Sequence, residues 1–245
     1  MKYSMLGITF TIIVVAVGNA AARSKKMPTQ QIRLYYLPPS PPCRSVMMLA
    51  RALGLELELN LTNIMEGAHM TPEFLKINPQ HTIPTIDDNG FILWESRAIL
   101  AYLVNAYGKD DSYYPKNPRL RAMVDQRLNF DVGTLFPRYL QLYMPMIMQG
   151  VPYNEDLADK LNEALGWLNQ MLEGRVFVAG DNLTIADFSI IVVITGLDAF
   201  GHELSSYDNV MNWYERTKKV LEPFGYTEID EAGAKILASM LNRDK

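Results

Sequence analysis

A serine stands between the first predicted strand, residues 32–37, and the first predicted helix, residues 43–53. Pro41 and Pro42 suit the first turn of this helix, because a residue there needs no N–H donor. The free N–H groups and the dipole of a helix N-terminus favour a negatively charged ligand atom. The Ser40 hydroxyl could therefore donate a hydrogen bond to an anion such as a thiolate. The alternative is that Ser40 only caps the helix.

A second candidate is the segment that joins a loop to a strand at residues 78–85. An apolar residue precedes a proline there, so the Ile83–Pro84 peptide bond is a candidate cis bond. A cis turn would leave the N–H and C=O of Ile83 free to pair with an extended ligand. The alternative is an ordinary loop proline.

A third candidate opens the predicted helix at residues 96–107, where Glu95 and Ser96 stand side by side. The acid could bind an ammonium group, while the hydroxyl and the helix amides could bind a carboxylate. Simple capping of the helix is again the alternative.

The elements that must position these residues form two halves, and the first is an α/β unit of thioredoxin size. Its order is βαβ, a short helix, a hairpin around Asp88-Asn89-Gly90 and a final helix. Asn-Gly is a favoured pair for a tight hairpin turn. We assign residues 31–108 to this thioredoxin-like domain.

The second half, residues 119–245, is predicted to be all-helical after a linker rich in turn-forming residues at 108–118. A long helix covers 119–149, bent near Pro137 and broken around Pro145. Further helices cover 154–172, 184–200, 209–221 and 229–242. Thr184 and Asp187 resemble a capping box. The predicted fold class is α/β plus all-α.

Composition excludes several classes of function. The chain has 245 residues, 49% of them hydrophobic, and a formal net charge of −4, so it has neither the composition of a disordered chain nor the basic surplus of a nucleic-acid-binding protein. One cysteine excludes an internal disulfide framework and a cysteine-based zinc site. Three histidines without helical spacing argue against a dedicated metal site.

The first 26 residues have the layout of a secretory signal peptide. Lys2 precedes an apolar run, and small residues at 18–22 could form a cleavage site. This layout predicts secretion through a cleaved leader. The alternative is a start at Met27, which would leave a cytoplasmic protein.

Four motifs in order give the chain a clear resemblance. They are Tyr-Tyr-Leu-Pro-x-Ser-x-Pro-Cys-Arg-Ser, Asn-Pro-Gln-His-Thr-Ile-Pro-Thr, Asp-Asn-Gly-Phe-x-Leu-Trp-Glu-Ser-Arg-Ala-Ile and Gly-x-x-Leu-Thr-x-Ala-Asp. From about Ile32 to the C-terminus the chain resembles a glutathione transferase of the insect delta class. The resemblance implies conjugation of the glutathione thiolate to hydrophobic electrophiles, as in detoxification. It also implies a homodimer and glutathione as a co-substrate, without a metal or other cofactor.

The resemblance also implies roles for particular residues. Ser40 is the expected catalytic residue, which hydrogen-bonds the glutathione sulfur. The expected glutathione-binding residues are His69, His81, Thr82, Ile83, Pro84, Glu95, Ser96 and Arg97.

Apolar residues predicted to face the cleft between the two halves would bind the electrophile, although ordinary helix packing is the alternative for each. They are Leu37, Phe136, Tyr139, Leu140, Tyr143 and Phe200. Three methionines in the same predicted helix, at positions 144, 146 and 148, could add adaptable packing.

Other functions remain open at this point. One is a non-catalytic protein that binds hydrophobic ligands, and another is a glutathione-dependent isomerase or dehydrohalogenase. A thiol–disulfide enzyme is disfavoured, because serine stands where such an enzyme would have its attacking cysteine. We expect Cys43 to be a buried core residue.

Overall fold

A computed structural model describes residues 32–242, and their first half is a four-stranded mixed sheet with three helices. The elements, in chain order, are β1 (Ile32–Tyr36), α1 (Pro41–Ala52), β2 (Leu57–Leu61), α2 (Pro72–Ile77), β3 (Thr85–Asp88), β4 (Phe91–Trp94) and α3 (Ser96–Tyr107). The strand order is β2-β1-β3-β4, with β1 parallel to β2 and antiparallel to β3. This is the predicted thioredoxin-like order.

The hairpin between β3 and β4 turns at the predicted residues. Asn89 has φ 51° and Gly90 has φ 93°, the left-handed conformations that a tight hairpin turn requires. The hairpin brings the loop before β3 and the start of α3 to the same region as the end of β1, where the candidate residues lie.

The second half is helical, as predicted. It consists of α4 (Pro118–Phe130), a π-helical turn (Asp131–Leu135), α5 (Phe136–Gln149), α6 (Glu155–Met171), α7 (Ile185–Ala199), α8 (Asp208–Leu221), a second π-helical turn (Tyr226–Glu231) and α9 (Ala232–Ser239). The predicted fold class is therefore confirmed.

Helix α7 is the centre of this half, because nearly every residue of it is buried. A helix that is apolar on all sides is stable only when other elements surround it. Helix α1 of the first half packs directly on α7, so the two halves share one hydrophobic core.

One local prediction in the 119–149 region is wrong. The predicted long helix is present as α4, the π-helical turn and α5 in one continuous helical run, but α5 passes through Pro145 instead of breaking there. Buried Tyr139, Leu142 and Tyr143 hold α5 against the core before the proline, and only one turn follows it. Tertiary packing therefore outweighs the local cost of the proline.

The predicted leader, residues 1–26, lies outside the described residues. So do residue 31, the first of the predicted thioredoxin-like domain, and residues 243–245, the last of the predicted helical domain. Within 32–242, no helix combines the length and apolar character that spanning a bilayer requires. The same part of the chain holds no cluster of three histidine, cysteine or acidic side chains suited to a metal ion.

Candidate functional site

Ser40 occupies the N-cap position of α1, but its side chain makes no capping bond. The turn is held by its backbone instead, because the Ser40 carbonyl accepts hydrogen bonds from the N–H groups of Cys43 and Arg44, each at 3.1 Å. Pro41 and Pro42 fill the first turn. The capping alternative for the hydroxyl is thus not observed.

Cys43 is fully buried one turn into α1, as predicted. Burial raises the pKa of its thiol to about 11, and the nearby Ser40 side chain only partly opposes this shift. A thiol with such a pKa is protonated at neutral pH and is a poor nucleophile.

An apolar cavity of about 340 Å³ lies between the two halves, with Ser40 in its wall. The first half supplies Leu37 and the prolines around Ser40, and α5 supplies the opposite wall. Nine predicted site residues line it: Leu37, Ser40, His69, His81, Thr82, Ile83, Phe136, Tyr139 and Leu140.

A smaller cavity of about 180 Å³ adjoins the first one. It is lined by the remaining predicted polar residues, Glu95, Ser96 and Arg97, together with Pro84. The two cavities share Pro42, Thr82, Ile83 and Phe136. The predicted polar residues and Ser40 therefore lie along one continuous depression.

The Ile83–Pro84 peptide bond is cis, as predicted. Neither backbone group of Ile83 is hydrogen-bonded within residues 32–242. The loop before it is fixed by Asn78, whose amide donates to the Thr82 carbonyl at 3.1 Å and to the Thr85 hydroxyl at 3.0 Å. The backbone of Ile83 is therefore positioned and free to bind an extended ligand.

Glu95 and Ser96 begin α3 without capping it through a side chain. Glu95 has φ 69°, a left-handed conformation that is uncommon for a residue with a side chain. Ser96 is buried, and its hydroxyl accepts a hydrogen bond from Arg97 Nη1 at 3.0 Å.

Arg97 is held by a buried carboxylate that the sequence analysis missed. Asp131 Oδ2 accepts from Arg97 Nε at 2.9 Å and Nη2 at 2.7 Å, and from the Ser189 hydroxyl at 2.5 Å. Burial raises the pKa of Asp131, and the positive charge of Arg97 opposes that change. No sequence pattern pointed to Asp131, because a π-helical turn directs it inward.

His69 and His81, whose ring centroids are 5.9 Å apart, line the larger cavity, whereas Arg97 lines the smaller one. Nδ1 of His69 is buried without a hydrogen-bond partner among the described residues. Two imidazoles in one cavity, one of them with an unused ring nitrogen, provide polar groups for an anionic ligand terminus.

Tyr143 and Phe200, although predicted to face the electrophile, are not part of the cavity lining. They stack on each other behind Tyr139, with centroids 4.2 Å apart, and the Tyr143 hydroxyl pairs with His202 Nδ1 at 2.9 Å. Helical spacing places Tyr143 on the same side of α5 as Tyr139, but the cavity reaches only the first layer.

Several lining residues were not predicted. Unpredicted residues that line the cavity include Ile64, Met65, Ile147, Leu237 and Met240. Of the three methionines named from the sequence, Met144 and Met148 line the cavity and Met146 does not. Leu237 and Met240 come from the far end of the chain, so no local pattern could link them to Ser40.

Comparisons with known proteins agree with this architecture. Residues 34–112 match the glutathione S-transferase N-terminal domain, and residues 152–216 match the glutathione S-transferase C-terminal domain. Glutathione S-transferase D7 of Anopheles gambiae is 51% identical over 207 residues, which are 84% of this chain and 95% of the mosquito protein.

Solved structures give the same result. The Bombyx mori glutathione transferase BmGSTD1 is 68% identical, with a TM-score of 0.86 over 87% of this chain and 99% of that protein. A delta-class transferase of Nilaparvata lugens is 49% identical, with a TM-score of 0.83 over 86% and 98%. A Drosophila mojavensis homologue with bound glutathione is 35% identical, with a TM-score of 0.80 over 87% and 97%.

The chain therefore belongs to the glutathione S-transferase family, and its similarity to delta-class members confirms the predicted class. The predicted enzyme type, a glutathione transferase, is confirmed with it.

The prediction of secretion through a cleaved leader is wrong. The matches cover 95% of the mosquito protein and 99% of the silkworm protein. In both, the unmatched remainder is too short to hold a counterpart of residues 1–26. The apolar run that suggested a signal peptide thus has no parallel in these relatives.

Proposed function

We propose that this enzyme binds reduced glutathione along the two adjoining cavities and that Ser40 activates its sulfur. The observation that supports this most directly is the position of Ser40. Its hydroxyl stands at the N-terminus of α1, makes no capping bond, and lines the apolar cavity.

The chemistry requires a stabilised thiolate. A free thiol has a pKa near 8.5, so it is mostly protonated at pH 7, and only the thiolate is a good nucleophile. A hydrogen bond to a charged group is worth about 1.5–3 kcal/mol, which lowers a thiol pKa by roughly one to two units. The dipole of α1 acts in the same direction.

The rest of glutathione would lie along the continuous depression. The free backbone groups of Ile83 suit the cysteinyl part, and Glu95 and Ser96 suit the γ-glutamyl ammonium and carboxylate. Arg97 sits beside them and is oriented by Asp131. His69 and His81, in the larger cavity, suit the glycyl carboxylate, with Thr82 and Pro84 shaping the wall between.

The second substrate would be an apolar electrophile in the larger cavity. Phe136, Tyr139 and Leu140 of α5 face Leu37 across it, and methionines adapt the wall to ligands of different shape. We expect a role in detoxification, no metal or other cofactor, and a homodimer, as in the family that the chain resembles.

The test is Ser40→Ala, assayed with glutathione and 1-chloro-2,4-dinitrobenzene as a probe. We expect a folded protein with conjugation reduced by roughly 10- to 1000-fold and a higher pKa for the bound glutathione thiol. An unchanged rate and an unchanged thiol titration would refute the role of Ser40.

Two further measurements separate the remaining functions. Cys43→Ser should leave conjugation intact, whereas a thiol–disulfide enzyme would lose its activity. A protein that binds apolar ligands but forms no conjugate at any pH would be a binding protein, and product analysis would reveal isomerisation or dehydrohalogenation.

A further inference from the structure

Two methionines mark the solvent edge of the large cavity. Met65 belongs to a short 3-10 turn (Ile64–Glu66) after β2, and Met148 belongs to the last turn of α5. Both line the cavity, and each is 49% exposed. No other large apolar residue of the described lining is more than about a third exposed, so these two thioethers, one from each half of the fold, form the entrance.

The other apolar residues of the cavity wall are less exposed than these two methionines. Met144 and Met240 also line it but are only partly exposed, and Tyr139 and Leu237 are buried. Met65 and Met148 are therefore the apolar lining residues that a molecule in solvent reaches most readily. Thioethers are soft nucleophiles that peroxides oxidise to sulfoxides.

We propose that Met65 and Met148 are an oxidation site, at which apolar hydroperoxides drawn to the cavity convert the two thioethers to sulfoxides and thereby weaken binding of the apolar electrophile. The weakening of substrate binding rests on the proposed function of the cavity, whereas the oxidation itself does not.

The reaction is balanced without a further reactant. The sulfur lone pair attacks the distal oxygen of the hydroperoxide, the O–O bond breaks, and the hydroxyl proton passes to the proximal oxygen. The products are one sulfoxide and one alcohol, so the sulfur loses two electrons and the peroxide gains them. A sulfoxide is polar, and it replaces a flexible apolar side chain at the entrance.

Met70 is a control that the chain itself provides. It is 50% exposed, nearly the same as Met65 and Met148, but it is not part of the cavity lining. If exposure alone determined the rate, an oxidant would therefore convert all three methionines at similar rates. If the oxidant is concentrated in the cavity, Met65 and Met148 at the entrance would be oxidised faster than Met70.

The first experiment compares two oxidants on the full chain without glutathione, with oxidation of each methionine read by peptide mass spectrometry. Hydrogen peroxide is polar and measures exposure, and cumene hydroperoxide is apolar. We expect the oxidation of Met65 and Met148 relative to Met70 to be at least about threefold greater with cumene hydroperoxide. Equal ratios with the two oxidants would overturn the proposal.

The second experiment measures the consequence. After oxidation, KM for 1-chloro-2,4-dinitrobenzene should rise roughly threefold or more, KM for glutathione should stay unchanged, and methionine sulfoxide reductases should reverse the rise. The double variant Met65→Leu, Met148→Leu should resist the change, and Met70→Leu should behave as the natural chain does. A double variant as sensitive as the natural chain would refute the consequence.

The two possible failures can be told apart. If the untreated enzyme forms no conjugate, the proposed function fails, but the mass-spectrometric comparison still decides whether the entrance is an oxidation site. Cys43 is present in every variant, so its own oxidation cannot produce a difference between them.

Discussion

At the scale of single residues, Asp131 is the buried group on which the polar end of the proposed glutathione site depends. It holds Arg97 through two hydrogen bonds, while its Oδ1 has no partner among the described residues. Asp131→Asn would remove the charge that orients the guanidinium. We expect KM for glutathione to rise about tenfold, with a smaller effect on KM for the electrophile.

The control for this prediction is Ser189→Ala, which removes one hydrogen bond to Asp131 but leaves the ion pair intact. Its effect on KM for glutathione should be below that of Asp131→Asn. A variant Asp131→Asn in which only the KM for the electrophile increases would contradict the proposed placement of the γ-glutamyl end beside Arg97.

Some residues of the candidate site could be predicted from the sequence, and others could not. Ser40, Ile83 and Glu95 could be predicted, because each lies at an element boundary whose chemistry is local. Asp131 and Met240 could not be predicted, because their side chains enter the site only through packing between distant elements. Tyr143 was predicted to face the cavity but does not line it, because helical spacing identifies the face of a helix and not the depth of the cavity beside it.

At the scale of elements, the start of α7 depends on Asp187. This buried carboxylate accepts hydrogen bonds from the N–H groups of Val178 and Thr184, from the Thr184 hydroxyl and from Trp213 Nε1. Asp187→Ala would leave these buried donors without an acceptor, so we expect a loss of about 3–5 kcal/mol in the free energy of unfolding. Urea denaturation measures it.

Asp208 is the matched control, because it is also an acid in the first turn of a helix, α8, but is exposed. Asp208→Ala should change the free energy of unfolding by no more than about 0.5 kcal/mol. Similar losses in the two variants would mean that Asp187 acts only through the helix dipole.

The same carboxylate should give the stability a pH dependence. Burial raises the pKa of Asp187 to about 6, from 3.8 in the unfolded chain. Because its pKa is higher in the folded state, Asp187 binds a proton more strongly there than in the unfolded chain. The stabilisation that this proton binding gives the folded state is full below about pH 4 and is lost as the pH rises through 6. Denaturation curves at several pH values should show that Asp187→Ala reduces this slope, because burial also raises the pKa values of Asp131 and Asp230. An unchanged slope would assign the pH dependence to those two carboxyl groups alone.

Element boundaries were predictable where local chemistry sets them. The Asn89-Gly90 pair gave a turn that the structure reproduces. The π-helical turn before α5 and the passage of α5 through Pro145 were not predictable, because both follow from packing against α7 and its neighbours.

At the scale of the whole molecule, one buried ion pair connects the first half to the end of the chain. Arg44 of α1 donates to Asp230 Oδ1 at 2.6 Å and to the Asp230 carbonyl at 2.5 Å, and both side chains are fully buried. Asp230 lies in the π-helical turn before α9, which carries Leu237, and Met240 follows the helix. The ion pair therefore positions the part of the cavity wall that comes from the far end of the chain.

The pair is incompletely satisfied, since Arg44 Nε and Asp230 Oδ2 have no hydrogen-bond partner among residues 32–242. Removing one charge leaves the other buried and unpaired, whereas removing both leaves none. We therefore expect Arg44→Met or Asp230→Leu alone to lower the free energy of unfolding by about 3–5 kcal/mol, and the double variant to lose less than either.

Each single variant should also raise KM for the electrophile more than KM for glutathione, because Leu237 and Met240 move while Glu95 and Ser96 do not. Urea denaturation of the four proteins and steady-state kinetics with both substrates measure these effects. Additive losses of stability in the double variant would show that the two residues act independently. Equal changes in the two KM values would show that the ion pair does not position the wall.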